Sequence, residues 1–369
     1  MQSSTSFTRL LVFVLWGFVF SRCGSDSTDP IPVRPLYFPP VSGTWETATP
    51  ASLGWNTNAL PAFQTFLETS ETRAFVVLKD GKIALELYRG KRLPPNQDLD
   101  FDASSNWYWA SAGKTLTAAL VGIAEAEGAV TLEAKTSDYV GTGWTSLTLA
   151  QESKITVRNQ LSMTTGLKDN VANPDCTQPA CLVFEAEPGT RWAYHNAPYT
   201  LLDGVIADAT GKTLNTYANE KVMEPIGAVG AYLQTGDNNV FYSNARSMAR
   251  FGLLLLARGK WQEVPVIPET FVDEMIISSQ TINPSYGYLT WLNGKPKSMI
   301  PGSQIVFNQP ISPAAPPDMF AALGKNGQLI CVVPSENLVM VRLGDLPDNV
   351  LVPFTFLDDV WEELNKVIR

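Results

Sequence analysis

Residues 109–116 read Trp-Ala-Ser-Ala-Gly-Lys-Thr-Leu, and this stretch organises the rest of the chain. Apolar residues continue from it at spacings of four and three as far as Ile123, which predicts a helix with one apolar face. Positions i and i+3 share a helix face, so Ser111 Oγ and Lys114 Nζ are expected to meet where the helix begins. A desolvated neutral lysine can take the proton of a serine hydroxyl, and backbone N–H groups at a helix start can stabilise an oxyanion.

The same stretch also has a simpler interpretation. Serine is a common helix N-cap, and a Ser-x-x-Lys pattern arises by chance roughly once in a chain of this size. The pair therefore predicts catalysis only if other residues of the right chemistry accompany it.

Composition limits the classes of function. The chain has 369 residues, 45% of them hydrophobic, which is enough for a sizeable core or for two joined subdomains. Its 27 Lys and Arg against 36 Asp and Glu give a net charge of -9, and no basic run is present, so nucleic acid is not an expected partner. A single histidine, His195, and the absence of a Cys-x-x-Cys pair predict neither a metal site nor a cofactor.

The N-terminus has the pattern of an export signal. Arg9 precedes an apolar run over residues 10–20, which is too short for a membrane span and predicts a signal peptide over residues 1–22. Cys23 follows, as at a bacterial lipoprotein cleavage site, where the cysteine is lipidated. The pattern predicts an exported protein that is either periplasmic or anchored to the membrane through lipidated Cys23. Arg22 replaces the small residue usual there, so ordinary secretion and an uncleaved anchor stay open. Residues 23–50, rich in Pro, Ser, Thr and Asp, predict a disordered tether before a folded domain over 51–369.

The remaining cysteines divide into two kinds. Cys176 and Cys181 flank a short polar loop, where a disulfide can form in an oxidising compartment. Cys331 lies in an apolar strand pattern, which predicts a buried thiol.

The strand patterns lie towards the two ends of the chain. Residues 74–78 and 83–88 flank an Asp-Gly turn and predict a hairpin, and residues 328–333 and 338–343 predict a second one. Helices are expected over 60–67 and 350–368. We therefore predict an α/β (α+β) fold in which N- and C-terminal strands form one antiparallel sheet flanked by helices. Residues of about 111–260 would add a mostly helical subdomain, with the active site in the cleft between the two parts.

A second polar cluster lies at residues 187–196. A Pro-Gly turn is followed by Tyr194-x-Asn196, which places a phenol and an amide on one side of an extended segment. A phenolate stabilised by a neighbouring ammonium can relay a proton from serine to a leaving group, and the amide can orient a lysine or bind a substrate amide. Two other Tyr-x-Asn triplets, at 217–219 and 242–244, are discounted because the first lies in a helical pattern and the second directly precedes a helix.

A third cluster is Gly-Lys-Asn-Gly-Gln at residues 324–328. A cation on an edge strand beside glycine can draw a carboxylate or an oxyanion towards exposed backbone N–H groups. The same residue types also suit an ordinary turn.

Together the three clusters resemble the serine β-lactamase/penicillin-binding-protein-like superfamily, and most closely its class C-like branch, from about residue 60 to the C-terminus. The resemblance implies that Ser111 is the acylated nucleophile, Lys114 its proton acceptor and Tyr194 the phenol that works with it. It also implies substrate-binding roles for Asn196, Lys325, Gly327 and Gln328, with an oxyanion hole formed by the backbone N–H groups of Ser111 and Gln328. Asn326 departs from the hydroxyl residue usual in β-lactam binders, which leaves β-lactamase activity open but not acyl transfer.

The expected function is that of a serine hydrolase that transfers the acyl group of an ester or amide, from a small molecule or a peptide, through an acyl-enzyme. One alternative is a Ser–His–acid hydrolase, which would have to use His195, although the chain has no Gly-x-Ser-x-Gly elbow. The other is a non-catalytic cell-envelope binding protein with the same fold.

Overall fold

The computed structural model describes residues 35–346 and 350–369. The helices are α1 Leu60–Thr69, α2 Gly113–Ala126, α3 Ser137–Val140, α4 Leu149–Glu152, α5 Val157–Leu161, α6 Asn196–Thr200, α7 Leu202–Thr210, α8 Leu214–Ala218, α9 Ala245–Leu256, α10 Glu269–Met275 and α11 Phe354–Ile368. The strands are β1 Thr72–Lys79, β2 Lys82–Tyr88, β3 Trp107–Tyr108, β4 Gly230–Thr235, β5 Asn238–Ser243, β6 Lys260–Trp261, β7 Val264–Pro265, β8 Trp291–Leu292, β9 Ser298–Met299, β10 Val306–Phe307, β11 Phe320–Gly324, β12 Gln328–Val333 and β13 Leu338–Gly344.

One sheet joins the two ends of the chain, as the hairpin patterns predicted. Its strand order is β2-β1-β13-β12-β11-β8, and all neighbouring pairs are antiparallel. Asp80 and Gly81 form the β1–β2 turn with φ values of 50° and 82°, which is the conformation an Asp-Gly hairpin requires. β1 then pairs with β13, so the N-terminal hairpin is placed beside the C-terminal strands.

Helices cover both faces of this sheet. On β12, Ile330 faces α9, where a Cβ added to Gly252 would lie 3.1 Å from the Ile330 side chain, so glycine allows the close approach. The next residue, Cys331, lies beside Trp361 of α11. Successive strand residues point to opposite faces, so α9 and α11 lie on opposite sides of the sheet. Cys331 is a buried free thiol, as its apolar surroundings predicted.

Two predicted boundaries are wrong. Residues 36–50 were expected to be a disordered tether, but the chain from Leu36 onward belongs to one compact unit. Trp45 is buried and donates from Nε1 to Gly81 O at 2.9 Å, and Ala48 N donates to Ile83 O at 2.9 Å. The last helix begins at Phe354 rather than at residue 350, because the residue before Pro353 is disfavoured in a helical conformation.

The region of about 111–260 is not purely helical. It contains the β4–β5 hairpin, to which β3 adds a third strand. The strands are short and partly exposed, so their hydrophobic alternation is weak in the sequence.

The signal-peptide and Cys23 predictions lie outside the described residues. Within the described part of the chain, no helix combines the length and the hydropathy that crossing a bilayer requires.

Candidate active site

Ser111 lies in the tight turn that leads into α2. The turn spans Ala110–Ala112, and Ala110 has a φ of 48°, a left-handed conformation that is strained for a residue with a Cβ. Two hydrogen bonds made by Trp109 hold the turn in place. The Trp109 backbone N donates to Phe241 O and the Trp109 Nε1 donates to Ser243 Oγ, both at 2.8 Å. Ser111 itself is only partly buried, so its hydroxyl is presented at the surface of an otherwise buried segment.

Lys114 meets Ser111 as the i, i+3 spacing predicted. Lys114 Nζ donates to Ser111 Oγ at 2.9 Å. The lysine side chain is buried, and burial lowers its pKa to about 7, although the negative charge of Asp175 acts in the opposite direction. A large fraction of the amine is therefore neutral near pH 7, and a neutral amine at this distance can accept the serine proton.

Aromatic rings surround the lysine. Its Nζ lies 4.3 Å from the ring centroid of Tyr199 and 5.1 Å from that of Tyr194. Tyr194 in turn stacks on Trp291, with 5.7 Å between centroids. These rings remove water from around Nζ, and this desolvation is what favours the neutral amine.

Tyr194 is a phenol rather than a phenolate in this environment. Burial raises its pKa well above the usual value near 10, and the Ser111 hydroxyl lowers that pKa only in part. The idea that a neighbouring ammonium holds Tyr194 as a phenolate is therefore not supported by the surroundings of the ring. Tyr194 is suited to donate a proton, and Lys114 is the group suited to accept one.

Asn196 is the first residue of α6, and its side chain is hydrogen-bonded to Asp175, which was not among the predicted site residues. Its Nδ2 donates to Asp175 Oδ1 at 2.7 Å. Asp175 precedes the loop closed by the disulfide between Cys176 and Cys181, which is formed in the structure. No motif marked Asp175, and the cysteine pair one residue downstream was the only signal that its loop is held in place.

Lys325 and Gly327 do not lie on an edge strand. Lys325–Gly327 form the turn between β11 and β12, and Asn326 and Gly327 have φ values of 61° and 75°. Two successive left-handed residues are typical of an Asn-Gly turn. Asn326 Nδ2 donates to Tyr108 Oη at 2.8 Å and to Asp345 Oδ1 at 3.1 Å, while the Lys325 side chain is exposed. Residues 325–327 therefore form a turn and not an edge strand, and the substrate-binding roles of Lys325, Gly327 and Gln328 stay predictions.

The backbone of β11 approaches Ser111 through Gly324. A Cβ added to Gly324 would lie 3.1 Å from Ser111 N and 2.4 Å from Trp109 O, so only glycine fits there. Gln328 is the cross-strand partner of Gly324, and its side chain is buried, with Nε2 donating to Gly344 O at 2.7 Å. The strand end next to the Ser111 N–H is thus Gly324, with Lys325 directly after it.

His195 is not hydrogen-bonded to Ser111 in the part of the chain that the structure describes. It lies before α6, is buried, and has its pKa lowered to about 4 by that burial. No hydrogen bond between His195 and Ser111 occurs among residues 35–346 and 350–369, so the Ser–His–acid alternative lacks its central contact. Over the same residues, no group of three His, Cys, Asp or Glu is arranged to hold a metal ion.

Comparison with known proteins gives the family. Residues 63–349 match the sequence model of the family described as Beta-lactamase. A penicillin-binding protein homologue from Caulobacter crescentus has a TM-score of 0.65 at 14% identity, over 87% of this chain and 98% of that one. A Bacillus anthracis protein provisionally named a 6-aminohexanoate-dimer hydrolase has a TM-score of 0.64 at 18% identity, over 90% of each chain.

A family VIII carboxylesterase has a TM-score of 0.61 at 17% identity, over 83% of this chain and 96% of that one. No curated protein sequence matches the chain. At these identities the structural matches show a shared fold. Because the family match spans most of the folded region, the chain belongs to the Beta-lactamase family.

Proposed function

We propose that this protein is a serine hydrolase that cleaves an ester or amide through an acyl-enzyme on Ser111. The observation that carries the proposal is the 2.9 Å contact between Lys114 Nζ and Ser111 Oγ, made by a buried lysine with a pKa of about 7. A purely structural lysine gains nothing from a location that disfavours its charge, whereas a general base requires it.

In the acylation step, Ser111 Oγ attacks the carbonyl carbon and its proton passes to the neutral Lys114 amine. The carbonyl oxygen becomes an oxyanion that accepts a hydrogen bond from the Ser111 N–H. A backbone N–H at the end of β11 is the proposed second donor, because Gly324 lies against Ser111 N. The Gln328 N–H, expected in this role from the sequence, belongs to the neighbouring strand, across from Gly324. The bond to the leaving group breaks as the Tyr194 phenol donates its proton to that group. The Lys114 ammonium returns a proton to Tyr194, and both groups regain their starting state.

Deacylation uses the same groups on water. A water molecule attacks the acyl carbon while the neutral Lys114 amine takes its proton, and the resulting ammonium gives that proton to Ser111 Oγ as the acyl–oxygen bond breaks. The products are the free acid and the free serine, so no atom or charge is left over.

Asn326 supports ester or amide substrates in preference to β-lactams. The solved structures with this fold include proteins named as a carboxylesterase and as a 6-aminohexanoate-dimer hydrolase. Asn326 replaces the hydroxyl residue that helps β-lactam binders hold a substrate carboxylate, and its amide is already bound to Tyr108 and Asp345. We therefore expect nitrocefin to be hydrolysed more slowly than simple esters. No observation favours a non-catalytic envelope protein.

Labelling with a fluorophosphonate probe tests the proposal. Mass spectrometry should locate the adduct on Ser111, and Ser111→Ala should abolish both labelling and hydrolysis of p-nitrophenyl esters. Ser52→Ala, a change at an exposed serine, is the control and should leave both unchanged. Labelling that survives Ser111→Ala would show that the nucleophile is elsewhere.

Export and anchoring are also proposed, on the strength of the apolar run at residues 10–20 and of Cys23. Mass spectrometry of the N-terminus from the membrane fraction should show a diacylglyceryl group on Cys23. Cys23→Ser should release the protein into the soluble fraction, and a variant that stays in the membrane would contradict anchoring by lipid.

A further inference from the structure

Thr117 carries a buried hydroxyl close to the base of the site. It follows Lys114 by three residues and therefore lies on the same side of α2. Its side chain is fully enclosed, with 0% exposed. A hydroxyl in such a place is unfavourable unless it is hydrogen-bonded, so its partners show what this residue does.

The Thr117 hydroxyl is bonded to two phenols from other elements. Its Oγ1 lies 3.0 Å from Tyr232 Oη of β4 and 3.3 Å from Tyr199 Oη of α6. Thr200 of α6, by contrast, donates its hydroxyl to a carbonyl four residues back in its own helix. Thr117 makes no such bond to α2 among the residues that the structure describes. Its hydroxyl therefore joins α2 to two neighbouring elements.

One of these two phenols belongs to the ring that lies over the base. Lys114 Nζ is 4.3 Å from the Tyr199 centroid, against 5.1 Å from that of Tyr194. The face of a ring attracts an ammonium, which acts to raise the Lys114 pKa, but the exclusion of water lowers that pKa and is the larger effect. The Tyr199 ring therefore helps to keep the amine neutral.

The short helix α6 does not fix the Tyr199 ring by itself. It has only five residues, and an isolated helix of that length is not stable in water. Gln160 Nε2 holds its backbone by donating to Pro198 O at 2.7 Å. Within the described part of the chain, Tyr199 Oη has no hydrogen-bond partner other than Thr117. The far end of the ring is thus held from α2, the helix that carries the base.

We propose that Thr117 is a positioning residue for acyl transfer, whose hydroxyl holds the Tyr199 ring against Lys114 Nζ and so keeps water away from the base. Neither Thr117 nor Tyr199 exchanges a proton with the substrate in this role. The reactivity of Ser111 depends on them because the amine that takes its proton has to be neutral. This inference rests on the proposed function.

The pH dependence of Ser111 labelling tests the inference without knowledge of the natural substrate. The quantity measured is the second-order rate of reaction with the fluorophosphonate probe, which should fall below the Lys114 pKa of about 7. Tyr199→Leu removes the ring and should move this acid limb upward by about one pH unit, which lowers the rate at about pH 6 roughly tenfold. Thr117→Val should move it in the same direction by about half a unit, because the ring is still present but no longer held.

Three further variants separate positioning from a loss of packing. Thr117→Ser keeps the hydroxyl and should keep the limb of the wild-type protein. Tyr199→Phe keeps the ring without its bond to Thr117 and should shift the limb as far as Thr117→Val does. Tyr232→Phe is the matched control, since it also removes one hydrogen bond of Thr117 but leaves the ring over Lys114 in place. It should leave the limb unchanged.

A double-mutant cycle shows whether Thr117 acts through Tyr199. Thr117→Val combined with Tyr199→Phe should shift the limb no further than either change alone, because both remove the same hydrogen bond. Shifts that add would mean that Thr117 reaches the base by another route and would overturn the inference. Urea unfolding shows whether each variant is folded, and if Thr117→Val is not, the comparison of Tyr199→Phe with Tyr232→Phe still decides the question.

Other ionisable groups near the base have to be distinguished from it. The hydroxyl-bearing residues around Lys114 and Thr117 are uncharged near neutral pH, namely Ser111, Tyr194, Tyr199, Tyr232 and Tyr286. Asp175 adds a negative charge that raises the Lys114 pKa. Asp203, whose charge acts on Tyr199, has its own pKa raised to about 7 by burial. Asp203→Asn should leave the limb in place, and a limb that vanishes in this variant would assign it to Asp203 and overturn the inference.

The results also separate this inference from the proposed function. If Ser111 is labelled but the limb has the same position in the wild-type protein, Thr117→Val and Tyr199→Phe, the positioning role is overturned and the proposed function stands. If the wild-type protein does not react with the probe at any pH, the proposed function is overturned and the inference with it.

Discussion

The start of α2 and the turn between β11 and β12 lie against each other, since Gly324 packs on the Ser111 amide, yet their lysines have opposite surroundings. Lys114 is buried among aromatic rings and touches Ser111 Oγ, whereas Lys325 is exposed on a turn. Both lysines belong to short polar motifs of similar appearance. The difference teaches that burial, and not the motif, gives a lysine the pKa that proton transfer needs.

Replacing each lysine by methionine tests this comparison most strongly. Lys114→Met should lower kcat/KM for p-nitrophenyl esters by about 10³-fold or more, because the nucleophile loses its base. Lys325→Met, the control, should change it by about tenfold at most. Equal losses in the two variants would mean that the turn takes part in the chemistry as directly as α2 does.

The pH dependence of the wild-type protein sharpens the same contrast. Only the neutral amine accepts a proton, so kcat/KM should fall about tenfold for each pH unit below the Lys114 pKa of about 7. Tyr194 adds no loss at moderately alkaline pH, since its pKa lies well above 10. Lys325→Met should show the same acid limb, and a shifted limb in that variant would contradict the assignment to Lys114.

Lys114→Met should make the fold more stable although it lowers the activity. The folded pKa of about 7 lies below the ordinary value of 10.5, so the unfolded chain binds more protons between these values and stability should rise with pH across that window. Below pH 7 the full penalty of burying the amine is present. Lys114→Met should therefore stabilise the fold near pH 7 by on the order of a few kcal/mol, measured by urea unfolding. A destabilised Lys114→Met would show that packing outweighs desolvation.

The smallest effect is expected at Asn326. Asn326→Ala removes the hydrogen bonds to Tyr108 and Asp345 and places a less tolerant residue at a φ of 61°, which should reduce stability by about 1–2 kcal/mol. Because the turn positions Gly324 but does not react, kcat/KM should stay within a few-fold of the wild-type value. Asn326→Gly, which accepts the left-handed conformation, should be less destabilised than Asn326→Ala.

Most of the fold and the central pair of the site could be predicted from the sequence. The Asp80–Gly81 turn and the apolar strand runs predicted the sheet because turn chemistry and hydrophobic periodicity are local properties. The i, i+3 spacing placed Lys114 on Ser111 for the same reason. The pKa of Lys114 was not predictable, since it depends on Tyr199 and on other residues distant in sequence.

Other features escaped prediction because their patterns have more than one physical solution. Gly-Lys-Asn-Gly-Gln suits an edge strand as well as a turn, and only the pairing of β11 with β12 selects the turn. Residues 36–50 look like a tether by composition, but Trp45 finds its place in the core through contacts with the β1–β2 hairpin. Asp175 belongs to no motif, and only three-dimensional packing places it beside Asn196.

The bond between Cys176 and Cys181 has a consequence for how the protein matures. The disulfide closes a short ring of residues. This closure reduces the conformational entropy of the unfolded chain and so stabilises the fold by about 2 kcal/mol. A chain in which this pair is reduced lacks the restraint on the segment next to Asp175 and gains it when the two cysteines are oxidised. Full catalytic competence would then depend on the redox state of the pair as well as on having folded.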